Sequence, residues 1–211
     1  MKRMERILVL GPHSDDGEFG CGGTIAKFIE EGKEVYYAAF SYAEEIIPPE
    51  LPSDIRLQEI KEGAGVLGIN EENLMIYRYP IRKFAKHRQE LLEDLVKLNR
   101  EIQPDLVLMP SVDDLHQDHY TMAMEGLRAF KFTSILGYEM PWNNISFKTK
   151  SFIYLEKRHV EKKLEAVKCH KSQKGKKYAN SEFIKSQARF RGVQCGVEFA
   201  ETFDVLRWII R

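Results

Sequence analysis

Short apolar runs alternate along this chain with segments of helical periodicity, and this alternation limits the folds available to it. An apolar run bounded by polar residues is typical of a buried parallel strand, whereas apolar residues three or four apart are typical of a helix. The predicted strands are 6–10, 35–40, 74–79, 105–109 and 151–155, and the predicted helices are 24–32, 53–68, 88–102, 120–130 and 160–170. The pattern predicts an α/β, Rossmann-like fold, in which helices flank a mostly parallel sheet and the active site lies at the carboxyl ends of the strands.

Size and charge exclude several classes of protein. The 211 residues, 24.6 kDa, suit one domain that spans residues 1–211. There are 32 Lys and Arg residues against 32 Asp and Glu residues, so the net charge is zero. A neutral chain has no overall field that attracts nucleic acid or anionic lipid. We therefore expect a small-molecule substrate and no nucleic-acid partner, while a homo-oligomer stays open.

Cysteine usage and the start of the chain indicate a compartment. The three cysteines are odd in number, widely spaced and without a CxxC pair, which argues against a disulfide framework or a zinc ribbon. No run approaches the roughly 18 apolar residues of a membrane span. The apolar stretch near the start is too short for a signal peptide. These features predict a soluble, cytoplasmic protein without a membrane anchor.

Two short stretches rich in histidine and carboxylate follow predicted strands. Residues 11–24 follow the first strand, and residues 113–119 follow the fourth. Both would lie at the carboxyl edge of the sheet, where they can form one site. Together His13, Asp16 and His119 offer two imidazoles and a carboxylate, the three ligands that a catalytic zinc takes while it keeps one position for water. The sequence thus predicts a site for Zn²⁺ or a similar divalent ion.

Three further residues of these stretches suit catalysis. Asp15 stands beside the ligand set and is free to accept a proton from the water. His116 could donate a proton or stabilise an oxyanion. Asp118 could orient a histidine by bonding to its second ring nitrogen.

Each stretch also has a simpler interpretation. A histidine near a strand end is usually structural or solvated, and Asp118 could be the N-cap of the next helix. The glycines Gly20, Gly22 and Gly23 do not match GxGxxG, so a tight strand-to-helix turn is favoured over a phosphate cradle. The metal interpretation is stronger because the ligand set is complete only when both stretches contribute: His13 and Asp16 come from the first and His119 from the second.

Several motifs of the chain resemble those of one enzyme family. Residues 13–24 read HSDDGEFGCGGT, similar to the HPDD-x-E-x-G-x-GGT motif of LmbE-like, PIG-L-type N-acetylglucosaminyl deacetylases, and residues 116–119 read HQDH, similar to their HxDH. Weaker likenesses occur in the family's order along essentially the whole chain: Arg56 and Glu59 resemble its R-x-x-E helix, Lys163 and Ala166 with Ser172 and Gln173 resemble K-x-x-A…SQ, and residues 199–203 resemble Y-A-E-x-F.

The resemblance implies a role for each matching residue. His13, Asp16 and His119 would be zinc ligands, and Asp15 would be the general base. His116, supported by Asp118, would be the acid and the oxyanion stabiliser, and Arg56 would help to bind substrate. Two positions depart from the family: Ser14 replaces a proline, and Asp114 stands where some relatives have an aromatic oxyanion helper.

A predicted loop could line the substrate site. Trp142 and Asn143 lie in the segment 137–148, and aromatic faces pack against sugar rings; surface packing is the alternative for both. The residues alone support a metallohydrolase, and the resemblance adds the substrate, so we expect removal of the acetyl group from an N-acetylated amino sugar with release of acetate. A nucleotide-binding Rossmann enzyme such as a methyltransferase, or a non-catalytic zinc protein that binds sugars, stays open.

Overall fold

The computed structural model describes residues 4–210, and within them seven strands form one sheet in the order β3-β2-β1-β4-β5-β7-β6. The strands are β1 (Arg6–His13), β2 (Glu34–Ser41), β3 (Leu74–Ile76), β4 (Leu106–Pro110), β5 (Ser134–Tyr138), β6 (Ser151–Leu155) and β7 (Phe199–Arg207). The α-helices are α1 (Asp16–Glu30), α2 (Ile55–Leu67), α3 (Arg88–Ile102), α4 (Gln117–Ala129), α5 (Lys157–Cys169) and α6 (Ser181–Gln194). Residues 1–3, with the start used in the signal-peptide argument, and residue 211 lie outside the described residues, and the single domain stays a prediction.

Pairing within the sheet confirms the predicted α/β class. Strands β1 to β5 pair in parallel, whereas β7 runs antiparallel to both β5 and β6. Successive residues of β1 supply two apolar layers: Ile7 and Val9 pack with α1, α2 and α5, and Leu8 and Leu10 pack with α3 and α4. Burial on both faces explains why this strand reads as a continuous apolar run.

The strand order reverses between the parallel neighbours β1 and β4, and this places both polar stretches together. From β1 the chain goes through α1 to β2 on one side, whereas β4 leads through α4 to β5 on the other. The crevice at such a switch point is where open α/β sheets bind ligands. His13 is the last residue of β1, and residues 111–116 join β4 to α4.

Several predicted boundaries are wrong at the ends that carry these polar stretches. Helix α1 begins at Asp16 rather than at residue 24, and α4 begins at Gln117 rather than at residue 120. Glycines have low helix propensity and conceal the first turns of α1. Helix α3 has its predicted bounds.

The glycines of α1 lie inside the helix, so the predicted tight turn is wrong. A Cβ on Gly20 would stand 2.4 Å from the Tyr138 ring, and one on Gly23 would stand 2.5 Å from Leu155. These positions lack side chains because the sheet approaches the helix closely there. They form no loop that could cradle a phosphate.

Helix α1 is kinked at Cys21, whose φ of −147° and ψ of 25° are not helical. The N–H groups just after a kink need acceptors, as at any helix start. Glu201 accepts from the N–H of Gly23 at 3.1 Å and from that of Thr24 at 2.7 Å, and the buried Lys163 donates to it at 2.6 Å. Two of the weaker motif residues therefore join α5 and β7 to α1.

The described part of the chain contains no helix long and apolar enough to cross a membrane.

Candidate active site

Three predicted ligand atoms converge at the crevice between β1 and β4. Asp16 Oδ2 lies 3.3 Å from His13 Nδ1 and 3.2 Å from His119 Nε2, and the two nitrogens lie 3.2 Å apart. Two of these side chains come from the β1–α1 junction and the third from the first turn of α4. All three residues are buried.

This triangle fits a metal ion by size and by chemistry. Two ligand atoms bound to a tetrahedral zinc at roughly 2.0–2.1 Å stand about 3.3 Å apart, close to the distances between the three atoms here. Imidazole with carboxylate suits zinc and neighbouring divalent ions. A second, looser set is present, since ring nitrogens of His13, His116 and His119 lie within 4.8 Å of one another.

Each histidine of the triangle has a carboxylate on its other nitrogen. His13 Nε2 donates to Asp118 Oδ2 at 3.1 Å, and His119 Nδ1 donates to Asp114 Oδ2 at 2.8 Å. Such carboxylates fix the ring orientation and make the metal-facing nitrogen more basic. Asp114, for which the sequence indicated no role, thus orients a predicted ligand.

The pKa values of these groups show that the site stabilises positive charge on the two imidazole rings. Burial lowers the pKa of His119, but Asp16 and Asp114 outweigh it and raise the pKa to about 10. In His13, too, Asp16 and Asp118 outweigh burial and raise the pKa. Burial raises the pKa of Asp16, yet the two histidines hold it well below its usual range. Protons on the rings supply that charge here, and a cation could replace them.

The carboxylate of Asp15, unlike that of Asp16, has no hydrogen-bond partner among the described residues. It precedes the first residue of α1, but its side chain does not cap the helix. Burial and the adjacent Asp16 raise the pKa of Asp15, while His170, His13 and Arg56 partly oppose the rise. An unpaired carboxylate with a raised pKa can both accept and return a proton.

His116, rather than Asp118, is the N-cap residue of α4. Its Nδ1 accepts the N–H of Asp118 at 3.2 Å, which leaves the ring proton on Nε2. Burial and the neighbouring His119 and His13 lower the pKa of His116 to about 4. The ring is therefore neutral near pH 7 and can donate a hydrogen bond from Nε2. The carboxylate of Asp118 accepts from His13, so the hydrogen bond between Asp118 and His116 is made by the backbone N–H of Asp118.

Aromatic side chains form a wall beside Asp15. Trp142 stacks on Tyr178 with ring centroids 4.3 Å apart and planes 18° from parallel, and Phe19 meets both rings edge-on at 5.5 Å. The backbone N–H of Phe19 donates to the carbonyl of Asp15 at 3.1 Å, which places these rings beside Asp15. Burial and the charges of Asp15 and Asp16 raise the pKa of Tyr178 to about 12. Trp142 is 37% exposed, which leaves part of its surface available to a ligand.

The other two predicted substrate residues lie in different surroundings. Arg56 is close enough for its charge to lower the pKa of both Asp15 and Tyr178, and its buried Nε has no hydrogen-bond partner within residues 4–210. Asn143 instead lies behind the histidines, where its amide is 3.4 Å from Asp114 Oδ2.

Comparison with known proteins gives a consistent result. A profile of the GlcNAc-PI de-N-acetylase family (PIG-L) matches residues 8–130. The uncharacterized deacetylase YaiS of Escherichia coli is 30% identical over 185 residues, which are 79% of this chain and 90% of that protein. The diacetylchitobiose deacetylase of Thermococcus kodakarensis is 26% identical over 192 residues, 81% of this chain and 70% of that one.

Solved structures share the fold over nearly the whole chain. The N,N'-diacetylchitobiose deacetylase of Pyrococcus horikoshii superposes with a TM-score of 0.80 at 24% identity, covering 96% of this chain and 84% of that one. GalB of Pseudomonas putida, a 4-carboxy-2-hydroxymuconate hydratase, gives the same TM-score at 21% identity, covering 99% and 98%. The fold by itself therefore does not define the reaction.

Proposed function

This chain belongs to the GlcNAc-PI de-N-acetylase family, and from that premise we propose that it removes the acetyl group from a small N-acetylated amino sugar at a zinc site formed by His13, Asp16 and His119. The observation that carries the proposal is the close triangle of their three ligand atoms, with the unpaired Asp15 next to it. The named deacetylases among the relatives support amide hydrolysis.

Different residues of the chain perform different parts of the proposed reaction. Zinc, when bound, would supply Lewis acidity that makes water more acidic and an amide carbonyl more electrophilic. Asp15 accepts a proton from the attacking water while the oxygen of that water bonds to the acetyl carbon. His116 donates a hydrogen bond from Nε2 to the carbonyl oxygen as that oxygen gains negative charge.

Breakdown of the amide needs a proton on the leaving nitrogen. The sequence suggested His116 as the acid, but a ring with a pKa of about 4 holds no spare proton near pH 7. Asp15 has just taken a proton, and its raised pKa suits the return of that proton to the amine. The C–N bond then breaks to give a free amino sugar and acetic acid. The acid loses the proton that stayed on the attacking oxygen and leaves as acetate.

The wall beside Asp15 supports a sugar as substrate. Sugar rings present C–H faces that pack on aromatic rings, and Trp142 and Tyr178 form a partly exposed aromatic surface near the predicted base. Arg56, whose buried Nε lacks a partner, can bond to a sugar hydroxyl or ring substituent. We assign Asn143 to orienting Asp114 rather than to substrate.

Three alternative functions can be compared with the structure: a nucleotide-binding enzyme, a sugar-binding zinc protein and a hydratase. A nucleotide-binding enzyme has no support, because the glycines of α1 are packed inside a helix. A sugar-binding zinc protein would need neither Asp15 nor His116. A hydratase remains an outcome to be tested, since GalB shares the fold.

Metal analysis and an acetate assay on the same preparation test the proposal. We expect about one zinc or similar ion per chain, and acetate release from a member of a panel that includes N-acetylglucosamine, diacetylchitobiose, and N-acetylglucosaminides carrying a carboxylate, a phosphate or a nucleotide. Fully metallated protein that releases no acetate from any of them, but hydrates an unsaturated dicarboxylic acid, would overturn the deacetylase assignment.

A further inference from the structure

Behind Asp15 lies a buried polar group that the reaction does not use directly. Glu18 follows Asp15 by one turn of α1 and has no exposed surface. Its Oε1 lies 3.3 Å from Nε2 of His170, and its Oε2 accepts the hydroxyl of Tyr37 at 3.1 Å. That hydroxyl in turn accepts the N–H of Gly17 at 3.0 Å. Side chains from β2 and from the end of α5 thus meet at the first turn of α1.

Helix α2 leaves space for this pair. A Cβ on Gly63 would stand 2.8 Å from Glu18 Oε1 and 3.3 Å from His170 Nε2. The segment that carries His170 is also fixed to α2, because Glu59 accepts both the N–H and the hydroxyl of Ser172 at 2.6 Å. The motif residues Glu18, Glu59 and Ser172 therefore meet in one cluster behind Asp15.

A contribution to stability does not by itself explain why Glu18 and His170 are buried together. Glu18 Oε1 and His170 Nε2 are buried and have no well-aligned hydrogen-bond partner among the described residues. Burial lowers the pKa of His170, but the charges of Glu18, Asp15 and Glu59 raise it above its usual value, which favours the imidazolium. A buried ion pair is often no more stabilising than apolar side chains of the same volume.

We propose that Glu18 and His170 are positioning residues, which hold the first turn of α1 so that Asp15 and Asp16 keep the geometry needed at the metal site. Asp15 immediately precedes that turn and Asp16 begins it. The contacts of Glu18 with His170 and Tyr37 fix the turn from two sides. The effect on Asp16 rests on the metal site of the proposed function, and the link to catalysis rests in addition on the proposed deacetylation.

The chain contains a matched control. Lys163 and Glu201 form another buried ion pair that joins α5 and β7 to α1, but they contact the helix at Gly23 and Thr24, beyond the kink. Loss of either pair should destabilise the protein. Only loss of the Glu18–His170 pair should change the metal site.

The test compares His170→Leu, His170→Gln and Lys163→Met. Leucine and glutamine are similar in volume, but only glutamine can donate to Glu18. Co²⁺ replaces the metal, because zinc with its filled d shell gives no visible absorption. For each variant the Co²⁺ absorption spectrum, the Co²⁺ affinity by chelator competition, kcat and KM for acetate release, and the melting temperature are measured.

We expect His170→Leu to shift the Co²⁺ bands and to lower Co²⁺ affinity and kcat by about 10- to 100-fold, as for other residues that orient ligands, with KM within about twofold. His170→Gln should recover much of each property. Lys163→Met should melt earlier but keep the parent spectrum and kcat.

Equal spectra and kcat for the leucine and glutamine variants, or changes of the same size in Lys163→Met, would overturn the proposal. If His170→Leu does not fold, Tyr37→Phe removes only the hydroxyl that joins Glu18 to Gly17 and should shift the bands in the same way; an unchanged spectrum there counts against the proposal. If the parent protein releases no acetate, the deacetylase assignment fails, while the Co²⁺ spectra still decide the positioning role.

Discussion

The carboxylate of Asp118 lies 3.1 Å from Nε2 of His13, although 105 positions separate the two residues in the chain. The same carboxylate accepts the backbone N–H groups of Arg82 at 2.6 Å and Phe84 at 3.3 Å. The orientation of His13 therefore depends on α4 and on the loop that precedes α3. Asp114 does the same for His119 from within the second polar stretch.

Replacing either orienting carboxylate should weaken metal binding without abolishing it. We expect Asp118→Asn and Asp114→Asn each to lower metal affinity by about 10- to 100-fold, because an amide orients the ring but does not make it more basic. Chelator competition measures the dissociation constant. Asp113→Asn is the control, since Asp113 pairs with Lys148 at 3.4 Å and touches neither ring. Equal losses in all three variants would remove the special role of the two carboxylates.

The two possible ligand sets can be separated by two substitutions. In the proposed set Asp16 is a ligand and His116 is not, whereas in the looser set three imidazoles hold the ion. Asp16→Ala should therefore lose the metal, because a site with two remaining ligands holds it poorly, and His116→Ala should keep about one ion per chain. Elemental analysis of both purified variants decides, and the reverse result would assign the ion to the three histidines.

Local patterns were sufficient to predict that strands β1 and β4 and helices α1 and α4 exist, although not where the two helices begin. Residues His13, Asp16 and His119 were predicted as one set, and the structure brings their ligand atoms within 3.3 Å of one another. Parallel strands that end at the same edge make such a prediction possible, since each stretch only has to follow its strand.

Features that depend on distant contacts could not be predicted. Strand β7 carries buried acidic residues, among them Glu201, and such residues conceal a strand until Lys163 and the helix N–H groups are known to satisfy them. Tyr178 follows a lysine-rich segment, and no local pattern relates it to Trp142. The role of His170 depends on its contact with Glu18, which lies in α1 and is far from it in the sequence.

Metal-free protein should lose stability between about pH 6.5 and pH 10. His119 has a folded-state pKa of about 10 against an ordinary 6.5, so its contribution is complete below pH 6.5 and disappears as the pH rises through 10. Melting temperatures of the metal-free parent and of metal-free His119→Gln should therefore converge as the pH rises. A constant difference from pH 6.5 to pH 10 would contradict the raised pKa.

The aromatic wall should act on substrate binding. We expect Trp142→Ala to raise KM by about tenfold with kcat within about threefold, because a lost stacking surface weakens the ground state and the transition state alike. The KM of Trp142→Phe should lie between those of the parent and Trp142→Ala. Trp208→Ala is the control: Trp208 is 52% exposed and lies at the other end of β7 from the site. An unchanged KM in Trp142→Ala would exclude the wall from the sugar site.

Asp15→Asn separates catalysis from metal binding most directly. Asparagine keeps the shape of the side chain but cannot take up the proton of the attacking water or return it to the amine. We therefore expect normal metal content and near-normal KM, with kcat lower by roughly 100-fold or more. His116→Ala removes a hydrogen bond to the developing oxyanion and should cost about 100- to 1000-fold in kcat. Because both residues serve one tetrahedral step, the double variant should lose less than the product of the two single losses. Acetate release and metal content, measured on the same preparations, decide the outcome: parent-like turnover in a fully metallated Asp15→Asn protein would exclude Asp15 as the base, and a double variant whose losses multiply would show that the two residues act independently of each other.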